Sequence, residues 1–166
     1  MDQITDESVV RLIKQLVDHY RTNISNRFIR PVLLQIQFDD VLWNQIESLT
    51  ERFDQLGYQG YDIEELYRQI AALTSFVDAV RREVAPTLRY RIGNNYTDKT
   101  DKVLRDMAIN NFSANLQVFA GFIYELYTKL VEIDTEAVKG KRKQPIYKQH
   151  TELDDIQEKL LQGTGE

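Results

Sequence analysis

Two stretches of the chain place apolar residues with a strict heptad rhythm. Leu42, Ile46, Leu49, Phe53 and Leu56 follow 4-3-4-3 spacing, and Ile63, Leu66, Ile70, Leu73, Val77, Val80 and Val84 follow 3-4-3-4-3-4. This is the repeat of helices that pack along one another at a shallow angle. A short glycine-containing connection separates the two runs, so the pattern predicts an antiparallel helical hairpin over about 39–85.

The tip of that hairpin, "GYQGYDIEE", reads as a turn. Gly57 falls just past the first helix, where Tyr58 can close back onto Phe53. Asp62 is placed as the N-cap of the second helix, with Glu65 completing a capping box.

Helical spacing continues elsewhere. Val9, Leu12, Leu16 and Tyr20 predict a helix from about Thr5 to Asn23. Phe28, Ile29, Val32, Leu33 and Ile36 keep the period but contain Pro31, which predicts either a kink or a fresh helix opening there. After Pro86 a connection of about a dozen residues leads to a Thr97 or Asp98 cap and one long helix, about 98–138, with Asn110-Asn111 as a candidate interruption. A basic linker, "KGKRKQPIYK", then precedes a short helix expected from near Thr151. The expected fold is therefore all-α: an elongated helical bundle whose heptad hairpin packs on the long helix. Residues 1–138 form one helical domain in this reading, and 139–166 a linker with a C-terminal helix.

Composition narrows the chemistry. The chain has 166 residues, 28% of them charged, and a net charge of −5, which suits one globular domain and gives no global attraction to nucleic acid or anionic lipid. It contains no cysteine, which excludes disulfides, thiol nucleophiles and thiolate-bound metals. Charged residues throughout the first twenty positions leave no signal-peptide core, so a cytoplasmic location is expected.

Candidate sites are few. Glu51 with Asp54, and Asp62 with Glu65, have the spacing with which all-helical nucleotide pyrophosphohydrolases pair carboxylates around magnesium. The heptad seam, however, turns Glu51, Asp54 and Glu65 toward solvent and uses Asp62 as a cap. Neither histidine, His19 or His150, follows a carboxylate at the spacing of helical di-iron sites. No phosphate-binding glycine loop or nucleophile elbow occurs. No catalytic residue, cofactor or metal is assigned.

Basic residues are unevenly placed. Arg81, Arg82, Arg89 and Arg91, with Lys139, Lys141, Arg142 and Lys143, define two basic segments (81–105 and 139–148) that could contact phosphates. Against them, 31–80 holds nine acids and two bases, so nucleic-acid binding is the second reading and a hydrolase on the hairpin carboxylates the third.

The informative feature is a gap in charge. Met107 to Tyr124 is eighteen residues without a charged side chain. Its amides, Asn110, Asn111, Asn115 and Gln117, argue against a membrane span. On a helix, Phe112, Leu116, Phe119, Ile123, Leu126 and Leu130 make one apolar stripe for the bundle, and Asn115, Val118 and Phe122 make a second. Asn110, Ala114, Gln117 and Gly121 form a third face, small and uncharged, where an ordinary surface helix would carry Lys or Glu. The expectation is cover on every side: either burial within one chain or, as preferred here, contact with a second copy in a two-fold dimer. The chain is accordingly expected to be a non-catalytic helical interaction module, a scaffold or adaptor that self-associates, with its protein partner otherwise unspecified.

Overall fold

The computed structural model describes residues 3–4, 7–35, 61–140 and 144–161. The first arm of the expected hairpin, its tip from Gly57 to Gly60, and the carboxylates Glu51 and Asp54 lie outside the described residues.

Helix α1, Glu7–His19, buries Val9, Ile13, Leu16 and Val17 on one face. It passes into a π-helical turn, Tyr20–Ile24, whose Tyr20 and Ile24 are also buried. The Asn26 side chain then accepts the N–H groups of Phe28 and Ile29, both at 3.0 Å, and α2 opens at Arg30–Gln35. Pro31 sits in its first turn, where a missing N–H costs nothing. Of the two readings of Pro31, the fresh helix is the one observed.

Helix α3, Ile63–Glu83, is the second arm of the expected hairpin. Its heptad residues Ile63, Leu66, Ile70, Leu73, Val77 and Val80 are all buried, as is Val84 at its end. Asp62 caps it, its carboxylate accepting the Glu64 N–H at 3.3 Å. Just upstream, β1 (Gln3–Ile4) and β2 (Tyr61–Asp62) make a two-residue antiparallel pairing that ties the chain's start to the entry of α3.

After α3, a 3-10 turn at Ala85–Thr87 and the short α4, Leu88–Ile92, occupy the first part of the connection expected between the two long helices. Gly93, at φ 77°, ends it in a conformation that suits glycine.

Helix α5, Lys99–Gly140, runs for 42 residues, about 63 Å, unbroken at Asn110-Asn111. Asp98 caps it by accepting the N–H groups of Thr100 (2.7 Å) and Asp101 (3.2 Å). The bundle is organised on this helix: α1, α3 and the C-terminal α6, Ile156–Leu161, all pack against it. The terminal helix expected near Thr151 begins instead at Ile156, because 3-10 turns at Ile146–Gln149 and Thr151–Leu153 and a left-handed Asp155 (φ 66°) come first. Leu153, Ile156 and Leu160 belong to the same core as Val9, Leu66 and Phe119. The fold is an all-α bundle. No helix among the described residues is long and apolar enough to cross a membrane.

Candidate interaction surface

The buried side of α5 follows the expected stripe. Phe112, Leu116, Phe119, Ile123, Leu126 and Leu130 are each at most 2% exposed. Phe119 lies at the centre of an aromatic group, its ring centroid 5.6 Å from Tyr20 and 6.4 Å from Phe76. His19 borders this group. Its Nε2 lies 2.7 Å from the Asn115 carbonyl, which can only accept, so Nε2 carries the proton and Nδ1 accepts from the Asn23 amide at 3.0 Å. His19 is thus a fastening between α1 and α5.

Both ends of the stripe are charged. Arg105, seven residues before Phe112, is 6% exposed; its Nε donates to the Gly93 carbonyl and its Nη1 pairs with Asp106 at 2.7 Å. Asp134, four residues after Leu130, is fully buried. Its carboxylate accepts the Tyr67 hydroxyl (3.1 Å), the Ile146 N–H (3.1 Å) and the Tyr147 N–H (2.9 Å). Burial first, then the Asp134 charge and hydrogen bond, push the Tyr67 phenol well above its ordinary pKa. Each buried charge therefore pins to α5 the segment that precedes or follows it. Sequence reasoning missed both, although the signal was present: one heptad back from Phe112 along the apolar stripe lands on Arg105, and one turn on from Leu130 lands on Asp134.

The opposite side of α5 is open. Val103 (55% exposed), Leu104 (42%), Met107 (52%) and Val118 (46%) lie on it. Only Leu34 and Tyr90 are comparably exposed large apolar side chains among the described residues, so the concentration on α5 is not the ordinary scatter of surface hydrophobics. Asn110 and Ala114 are exposed on the same side, and Gln117 and Gly121 are half-buried. The expected cover on every side is not supplied by the described residues.

Two arginines fix the edge of this surface. Arg89 donates to the Asn110 side-chain oxygen at 3.0 Å. Arg81 donates to the Gln117 side-chain oxygen (3.0 Å) and to the carbonyls of Lys159 (2.7 Å) and Leu160 (3.1 Å), where it satisfies the C-terminal end of α6. Burial lowers the Arg81 pKa, with Asp78 acting in the other direction.

Several of the described basic residues also have partners within the chain. Arg82 pairs with Asp78 at 3.1 Å, Arg91 donates to the Thr87 hydroxyl at 2.9 Å, and Lys139 pairs with Glu136 at 3.3 Å. Lys141, Arg142 and Lys143 lie outside the described residues. Among the described residues no group of three or more His, Asp or Glu side chains could hold a metal. No protein-family model, curated protein or solved structure matches the chain.

Proposed function

We propose that the chain is a non-catalytic helical interaction module, a scaffold or adaptor, that associates with itself through the uncharged side of α5. One observation carries the reading. A helix face with Leu104, Met107 and Val118 turned to water, and no charged residue from 107 to 124, has the composition of an interface rather than of a solvated surface. The amides at 110 and 117 supply polar contacts that such a face tolerates on separation.

The arginines that could contact phosphates argue less for nucleic acid than their number suggests. Arg81, Arg82, Arg89 and Arg91 each already serve a partner within the chain.

Sedimentation velocity from about 1 to 100 μM tests the reading, a range suited to modest interfaces. Wild type should pass from monomer to dimer. A Cβ at Gly121 would meet nothing within 4 Å among the described residues, so Gly121→Arg can be accommodated by the monomer and should shift the equilibrium back to it. A wild-type monomer throughout would overturn the reading.

A further inference from the structure

The open side of α5 has a period of its own. Thr100, Leu104, Met107, Asn111, Ala114, Val118, Gly121 and Glu125 follow 4-3-4-3-4-3-4 spacing. Seven of these eight are exposed and Gly121 is half-buried. The helix therefore carries two heptad seams, one filled by its own bundle and one unfilled. A heptad seam is shaped for another helix, since only a helix keeps in step with it over several turns.

We propose that a second copy of α5, running antiparallel, fills this seam in one register, set by a two-fold axis between Phe112 and Ser113. The inference rests on the self-association proposed above and adds its geometry. In antiparallel helix pairs, alternate seam positions of one helix face the complementary positions of the other. Here that register places Leu104 opposite Gly121 of the second copy, Met107 opposite Val118, Asn111 opposite Ala114, and Thr100 opposite Glu125. Every layer sets a larger side chain against a smaller one, and all eight seam residues are used.

The flank agrees. One row of residues beside the seam brings Asn110 next to Gln117 of the second copy, amide against amide, with both held in place by Arg89 and Arg81 of their own chains. Gly121 supplies an independent argument. Glycine weakens a helix relative to alanine, yet nothing in the packing of the described residues needs the missing side chain at 121. Leu104 of a second copy would need it. The seam spans about 40 Å, and at roughly 10 Å width it buries about 400 Å² per copy, which places the dimer in the small, readily exchanging class.

The absence of cysteine gives a direct test, because introduced thiols are the only ones present. Met107→Cys mixed with Val118→Cys should form an intermolecular disulfide under mild oxidation at high protein concentration, as should Leu104→Cys mixed with Gly121→Cys. Leu104→Cys alone should not, since the two copies of residue 104 would stand about 25 Å apart along the axis. A dimer in which Leu104→Cys links to itself, while the mixed pairs stay unlinked, overturns the antiparallel register and leaves self-association standing. A protein that sediments as a monomer at every concentration overturns both. A monomer in which the Met107→Cys thiol also resists alkylation would mean that the seam is filled from the same chain, and overturns the second copy as its occupant.

Discussion

Along α5 a buried heptad seam, Phe112 to Leu130, runs beside an exposed one, Thr100 to Glu125. The spacing is shared, and the chemistry differs at every level. The buried seam uses Phe, Leu and Ile throughout, and buried charges stand at both of its ends. The exposed seam mixes three larger apolar residues with Asn111, Ala114 and Gly121 and ends on Glu125. A permanent core gains from large side chains because it never returns them to water. A contact that opens must leave a surface that remains soluble alone, and small and amide residues keep that cost down. The two seams teach that spacing identifies a helix-packing face, while side-chain size and polarity identify how permanent its contact is.

The largest break in this comparison should come from the buried seam. Phe119→Ala removes a fully buried ring from contact with Tyr20 and Phe76, and the cavity it leaves should cost about 4 kcal/mol in urea denaturation. Any dimer should be lost along with the fold.

Asp134→Ala should rank next. It strips acceptors from the Tyr67 hydroxyl and from two backbone N–H groups, leaving them without their carboxylate, and about 3 kcal/mol of stability should go. Hydrogen exchange at the Tyr147 amide should accelerate more than exchange in α1, because the substitution frees the segment after α5 before it disturbs the rest. Uniform acceleration would show that Asp134 supports the bundle as a whole rather than pinning one segment.

The sequence made some of this legible and concealed the rest for physical reasons. The α3 seam was read correctly because its apolar residues at heptad spacing all face one core. The buried stripe of α5 was readable for the same reason. Arg105 and Asp134 were not, because charged residues are presumed to face solvent until a specific partner is seen, and each takes its backbone partners from a segment beyond the end of α5, at Gly93 for Arg105 and at Ile146 and Tyr147 for Asp134. The exposed seam was hidden differently. Asn111, Ala114 and Gly121 break its apolar signal, so the face that stands out in the sequence is the uncharged one at 110, 114, 117 and 121, which shares two residues with the seam and flanks it with the others. The C-terminal helix started late because the left-handed backbone at Asp155 is not encoded by any glycine or proline.

A third substitution sharpens the contrast from the exposed side. Met107→Glu places a charge on the open seam, where monomer stability should change by no more than about 0.5 kcal/mol. Dimer dissociation should rise at least about tenfold, since the carboxylate would lose water against Val118 of a second copy. Equilibrium denaturation and sedimentation on the same samples separate the two effects. Equal losses in both would place Met107 in the fold rather than at an interface.

The smallest effect is in pH and belongs to the buried side alone. Burial and the neighbouring Asp134 carboxylate raise the Tyr67 pKa in the folded chain, so the folded state holds that proton after the unfolded chain has released its own. A raised folded pKa makes a contribution that is complete below the unfolded value and fades as pH climbs past it, here from about pH 10 upward. Linkage gives a loss of about 0.8 kcal/mol by pH 10.5 from this one group. Tyr67→Phe should be somewhat less stable at neutral pH, having lost the hydroxyl donated to Asp134, and should have a flatter alkaline limb than wild type. The difference between the two pH profiles isolates Tyr67 from Tyr127, whose pKa burial also raises. Parallel alkaline limbs would show that Tyr67 ionises alike in the folded and unfolded chains, and would remove the buried hydroxyl–carboxylate pair from the account of what holds the end of α5.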